Sequence, residues 1–196
     1  MGNLVRNGYP ALAGLDEEAF VRLVAPLGES LPDASVGSAD GRIPFVVVVG
    51  SRLAPPDRAI GLVTLGGKAG FTEMPADDLD RFRPIERVTL PAAAARLVTD
   101  VDAGGAFRNI TPDDALETIL REGRSPLTTD EGMALVTHVP GILKERNAFS
   151  MLSSRCGDRR VTAMWISRGR PRLGWCWAGN PHRWLGSASC GGRIAA

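Results

Sequence analysis

Two segments rich in β-branched and aromatic residues, 161–167 and 172–178, flank the tetrapeptide Arg168-Gly169-Arg170-Pro171. Such runs joined by a short glycine-containing turn fold as a β-hairpin. Successive strand residues face opposite ways, so Leu173, Trp175 and Trp177 share one face while Gly174, Cys176 and Ala178 share the other. One face is broad and aromatic; the other is small enough to admit a helix, a backbone or a ligand at close range. The ordinary role of such an aromatic face is a core layer.

The hairpin lies in a chemically dense window. Between Cys156 and Cys190 the chain carries all three of its cysteines, all four tryptophans and His182, one of two histidines. From Arg146 to the end stand nine of the 23 basic residues and one of the 22 acidic ones, Asp158. The C-terminal part is therefore expected to be electropositive unless the acidic N-terminal part folds over it.

The 196 residues suffice for one domain with a substantial core, spanning 1–196, with 1–14 and 191–196 expected to be loosely ordered. No apolar run reaches the ~20 residues of a membrane span, and the N-terminus lacks the apolar centre of a signal peptide. Three cysteines without framework spacing favour a reducing compartment. The expectation is a cytoplasmic protein without a membrane partner.

Local signals place the remaining elements. Asp16, Glu17 and Glu18 open a helix that carries Phe20, Leu23 and Val24 on one face and stops near Pro26. Residues 28–42 read as a surface connection. Residues 44–49 are a continuous apolar strand buried on both faces, and 60–65 a second candidate strand. Gly66-Gly67-Lys68-Ala69-Gly70 lacks the spacing and hydroxyl of a phosphate-binding loop and reads as a turn. A short acidic helix at 75–82 and strands at 88–90 and 96–101 follow. Thr111-Pro112-Asp113-Asp114 starts a helix to about Leu120, and Thr128-Thr129-Asp130-Glu131 has capping-box spacing for another that ends at His138. In that helix Glu131, Leu135 and His138 share a face, which makes a Glu131–His138 pair or a dipole-favoured histidine the expected role of His138. A linking helical turn is expected over 142–146. Strands and helices without a βαβ rhythm indicate an α+β fold, with a mixed sheet of about five to seven strands, several short helices and the C-terminal β-hairpin.

Cys156, Cys176, His182 and Cys190 are the available soft-metal ligands, and Cys₃His is an accepted zinc set. A turn at 168–171 places Cys176 opposite residue 163 or 164, more than ~20 Å along an extended strand from Cys156. The same pairing puts Cys156 opposite 182–184. The expected cluster is therefore Cys156 with His182 and Cys190, while Cys176 is a small buried residue. Cys156 and His182 can hold zinc, or His182 can act as base to a Cys156 thiolate nucleophile supported by Arg155, Arg159 and Arg160. The string around Cys156 lacks the arginine spacing and glycine cradle of a cysteine phosphatase. Arg155, Arg159 and Arg160 suit an anionic small molecule, with Trp177 or Trp184 as an apolar wall. Arginines mixed with tryptophans also suit nucleic acid, against which stand the mild overall charge and the absence of a recognisable motif.

The strings Gly123-Arg-Ser-Pro-Leu-Thr128, Glu131-Gly132, Thr137-His138, Ser154-Arg-Cys-Gly-Asp-Arg-Arg160 and Gly174-Trp-Cys-Trp-Ala-Gly-Asn-Pro-His182 resemble an uncharacterised domain family of actinobacterial proteins. The likeness runs from Gly8-Tyr9-Pro10 to Cys190. It implies a single-domain bacterial protein and brings no mechanism with it. Three functional readings follow: a binder of an anionic small molecule, with or without zinc; a small enzyme using Cys156 and His182; and a nucleic-acid or protein-interaction module whose tryptophans form an interface.

Overall fold

The N-terminal segment is held by three short helices whose apolar side chains turn inward. The computed structural model describes residues 2–31 and 42–195, so most of the connection expected at 28–42 lies outside the described residues. Helices α1 (Gly2–Arg6), α2 (Tyr9–Leu12) and α3 (Glu17–Val24) bury Leu4, Tyr9, Phe20 and Val24. Asp16 caps α3 by accepting from the Ala19 amide at 2.7 Å. Within residues 2–14, Leu4 and Tyr9 are buried, and the Tyr9 hydroxyl lies 3.2 Å from Thr137 Oγ1.

Strand β1 (Ile43–Val49) forms as its β-branched run dictates and buries Val46 through Val49. After α4 (Pro56–Ala59), the second candidate strand expected at 60–65 is a 3₁₀ turn at Ile60–Leu62 followed by a two-residue strand β2 (Thr64–Leu65). Close packing accounts for the bend, because Gly70 passes so near the Ile60 carbonyl that a Cβ there would stand 2.6 Å from it. β2 pairs with β3 (Lys68–Ala69) through Gly66 and Gly67, both at positive φ, so the glycine-rich stretch is a hairpin turn. Next come β4 (Phe71–Thr72), α5 (Ala76–Leu79), β5 (Arg83–Pro84) and β6 (Ala95–Val101). Residues 88–90 are not a strand: the Val88 amide closes a turn on the Ile85 carbonyl, leaving only its side chain buried.

Both later helices start at their caps. α6 (Pro112–Arg121) is capped by Thr111, whose hydroxyl accepts from the Asp114 amide at 3.1 Å. After β7 (Ser125–Pro126), α7 (Thr129–His138) carries the complete Thr128–Glu131 capping box. The helical turn expected at 142–146 falls earlier, at Pro140–Ile142. β8 (Ala148–Arg155) has no counterpart in the sequence reading. Its serines interrupt the apolar pattern, yet they are buried: Ser150 Oγ donates to the Gly186 carbonyl, Ser153 Oγ donates to Pro126, and Ser154 Oγ accepts from the Thr129 amide.

β9 (Arg160–Ser167) and β10 (Arg170–Trp177) make the expected hairpin, with Arg168 and Gly169 at positive φ in a two-residue turn. β11 (Leu185–Ser187), β12 (Ser189–Cys190) and β13 (Gly192–Ala195) complete the chain. β13 pairs antiparallel with β6 over Gly192–Ala195. The larger sheet runs β11-β8-β9-β10-β4, with β5 also on β8, and mixes parallel with antiparallel pairs; the smaller runs β1-β6-β13. The fold is α+β. Between the sheets lies α7, whose Gly132 sits against Met151 and Phe149 of β8 while His138 reaches the Val47 carbonyl of β1. On the outer face of the larger sheet, Ala115, Leu116 and Ile119 of α6 cover Leu152, Val161 and Ala178.

Candidate functional site

Past the end of α6 the outer face of the larger sheet is open, and the tryptophans gather there. The hairpin register sets Gly174 opposite Ala163, Cys176 opposite Val161 and Arg172 opposite Trp165, so these six share the outer face. Trp165 lies across Gly174 so closely that a Cβ there would be 2.3 Å from its ring. Trp175 and Trp177 come from the other side of β10, where the strand edge has lost its partner, since β4 pairs only with Arg172 and Leu173. They are 38% and 45% exposed, with ring centroids 5.2 Å apart, edge to face. The expected aromatic core layer therefore ends at buried Leu173, and the two indoles beyond it face outward.

The loop after β10 supplies the opposite wall. The Asn180 amide bonds back to the Trp177 carbonyl at 3.2 Å, which turns the chain over the sheet, and the His182 carbonyl is held by the Asn109 amide at 2.9 Å. Trp184, 38% exposed, meets Trp165 edge-on at 6.2 Å between centroids and His182 at 5.6 Å. A groove of about 370 Å³ results, walled by Trp165, Trp175, Trp177, Trp184, Cys176 and His182. His182 Nε2 is buried and has no hydrogen-bond partner among the described residues. Such an atom is costly to leave unpaired. On its far side Trp184 borders two further hollows that hold Lys144, Arg146 and Arg183, with Glu145 nearby. Those three cations have no carboxylate within ion-pair distance among the described residues.

Cys156 is elsewhere, in the β8–β9 connection. Its thiol donates to Asp158 Oδ1 at 3.1 Å and its carbonyl accepts from Arg81. Burial, followed by the Asp158 hydrogen bond, raises the thiol above its ordinary range. The Arg160 amide and the same thiol draw the Asp158 carboxyl down to about 2. Cys190 is buried on β12 opposite Ser125, its thiol pushed by burial up to about 11. The expected union of Cys156, His182 and Cys190 therefore does not occur, and no group of three His, Cys, Asp or Glu suited to a metal ion exists among the described residues. The hairpin register does not continue to Cys156 because the strands part after Trp177–Arg160, at the Gly179-Asn180 turn. The thiol sharing the groove with His182 is Cys176, pushed by burial up to about 12.

The three arginines expected to receive an anion already have partners. Arg155 and Arg159 lie 3.3 and 3.6 Å from the Asp113 carboxylate, and Arg160 binds Asp78 at 2.6 Å and Asp158 at 2.9 Å. Arg172 and Arg193 pair with Glu73 and Glu131, so five of the nine C-terminal arginines are matched by acids, four of these acids from earlier in the chain. The acidic part does fold over the basic part. His138 Nε2 donates to the Val47 carbonyl at 2.9 Å rather than pairing with Glu131, which binds Arg96 and Arg193 instead. Sequence reading missed Trp165 and Cys176 as groove walls. The signal for both was strand parity: a tryptophan on the same sheet face as a glycine diagonally across the hairpin finds a place to lie flat.

The fold and its groove define an α+β protein with an open aromatic face. Residues 3–196 match the model of a family of unknown function, DUF5701, and the chain belongs to that family. Comparison with curated proteins and with solved structures returns no match. No helix among the described residues is long and apolar enough to cross a membrane.

Proposed function

We propose that this protein binds a small molecule with a flat apolar body and an anionic group. The body stacks among Trp165, Trp175, Trp177 and Trp184, and the anion meets Lys144, Arg146 and Arg183 beyond Trp184. The observation that carries this reading is His182 Nε2, buried without a partner among the described residues in a groove whose other walls are mostly indole. A volume of about 370 Å³ is within the range of small-molecule sites, which combine apolar walls with a few polar groups. Stacking on an indole is worth about 1–3 kcal/mol per ring. A ligand atom at His182 would also satisfy the orphaned nitrogen.

Binding is favoured over thiol chemistry by the state of the cysteines. Burial keeps the Cys176 thiol protonated beside His182, and Cys156 gives its proton to the Asp158 hydrogen bond. The test uses 8-anilinonaphthalene-1-sulfonate, an aromatic anion, and the uncharged N-phenyl-1-naphthylamine, followed by fluorescence. Saturable binding of both is expected, weakened about tenfold in Trp177→Ala and in Trp184→Ala. Arg183→Ala and Arg146→Ala should weaken only the sulfonate. Binding indifferent to both tryptophan substitutions would refute the groove, and equal losses for the two dyes in the arginine variants would refute the anionic group.

A further inference from the structure

A second cleft opens at the start of α7, and none of its lining residues belongs to the aromatic groove. Two adjoining cavities of about 380 and about 370 Å³ share Ser51, Arg52, Leu90 and Asp130 and so form one continuous cleft. In its wall lies Arg96, only 3% exposed. Three contacts lock this guanidinium: Nε donates to Glu131 Oε1 at 3.0 Å, and Nη2 to Asp130 Oδ2 at 2.9 Å and Thr128 Oγ1 at 3.4 Å. Nη1 has no acceptor among the described residues. It lies 3.7 Å from the place a Cβ on Gly50 would occupy, and Gly50 is itself part of the cleft wall.

The helix start is not the donor here. The amides of Thr128, Thr129 and Glu131 are already taken by Glu131 Oε2, Ser154 Oγ and Asp130 Oδ1. What remains unspent are cations. Arg52 and Arg83 stand exposed in the cleft wall with no carboxylate within ion-pair distance among the described residues. The Asp130 charge is matched by Arg96, which leaves Asp80 as the opposing carboxylate of the lining. The Ser154 hydroxyl accepts from Thr129 and keeps its own proton to donate.

We propose that this cleft binds the compact oxyanion of a small metabolite, a carboxylate or a phosphate. Arg96 Nη1 receives it at the floor, and Arg52 and Arg83 close over it from the rim. A buried guanidinium fixed by two carboxylates loses no rotamer freedom on binding, and its N–H makes a charge-assisted bond away from bulk water. The missing side chain at Gly50 leaves the space in front of Nη1.

Calorimetric titration of the full chain at low ionic strength, with inorganic phosphate and separately with citrate, tests the proposal. Saturable binding of at least one is expected, and which one binds tells a phosphate source from a carboxylate source. Arg52→Ala and Arg83→Ala, both surface changes, should each weaken it about tenfold. Gly50→Val should abolish it by filling the space before Nη1, with the circular-dichroism spectrum unchanged. Trp184→Ala should leave it intact, so failure of the aromatic groove and failure of this cleft are separable. Absence of binding for both anions, or affinity untouched by the arginine and Gly50 substitutions, overturns the proposal. So would a loss in Trp184→Ala, which would move the anion to the aromatic groove.

Discussion

Arg193 Nε stands 2.7 Å from Glu131 Oε1, joining the last strand of the chain to the first turn of α7. Glu131 is fully buried, and its second oxygen accepts from Arg193 Nη2 at 2.8 Å and from the Thr128 amide at 2.9 Å. Burial alone would push this carboxyl up, but Arg193 and Arg96 outweigh it and hold the group below its ordinary range. One carboxylate thereby caps a helix and anchors β6 and β13, the two strands that bring the arginines.

Removing that carboxylate leaves Arg193 with no carboxylate partner among the described residues and Arg96 with Asp130 alone. Glu131→Ala is expected to destabilise the fold by about 3–5 kcal/mol, since breaking a buried pair leaves unmatched charge. Arg193→Ala should cost somewhat less, because Arg96 still pairs with Glu131. Urea unfolding reads both; a loss under about 1 kcal/mol for Glu131→Ala would show that the network is peripheral.

His138 should make stability fall with mild acid. Burial depresses its folded pKa below the ordinary value of 6.5, a shift only partly opposed by its hydrogen bond to Val47. As pH drops through about 6.5 the unfolded chain takes up a proton that the folded chain resists, so the unfolded state gains. The urea midpoint should decline from pH 7 to about pH 5.5, and His138→Gln should flatten that part of the curve. Carboxylates such as Glu131, whose folded pKa lies below 4.5, act only at lower pH, where their contribution is lost as the folded group is protonated. An identical slope in the variant would contradict the assignment.

Two glycines set close approaches that an added methyl group would spoil. At Gly132 a Cβ would lie 2.6 Å from Met151 Cγ and Sδ, inside the packed layer between the sheets, so Gly132→Ala should cost about 1–3 kcal/mol in urea unfolding. At Gly174 the obstruction is the ring of Trp165. Gly174→Ala should swing that ring out of the groove wall, which a red-shifted indole emission and weaker dye binding would register. Unchanged emission would mean that Trp165 does not depend on the glycine.

The thiols should be sluggish. Burial raises all three above the ordinary cysteine range, Cys176 to about 12 and Cys190 to about 11. Reaction with 5,5′-dithiobis(2-nitrobenzoate) at pH 8 should be much slower in the folded protein than in urea. A rapidly reacting Cys156 would restore the thiolate that the Asp158 contact argues against.

The sequence by itself determined those features whose cause is local. Asp16, Thr111 and the Thr128–Glu131 pair capped their helices because a side chain satisfies amides three residues away. Arg168-Gly169 turned the hairpin, and alternation sorted Gly174 and Cys176 from Trp175 and Trp177. Only the tertiary structure decided where those faces went. β8 was illegible because its serines find acceptors on distant strands and loops, so polar residues could be buried at no cost in unpaired groups. The Cys156–His182 pair extended the hairpin register past Trp177, but the strands part there and the Gly179-Asn180 turn places His182 in the groove that Cys176 also lines. Arg155, Arg159 and Arg160 were matched to Asp113, Asp78 and Asp158, the first two of them carboxylates that sequence proximity could not reveal. A charge partner is chosen by distance in space, and for these residues that distance is set by packing.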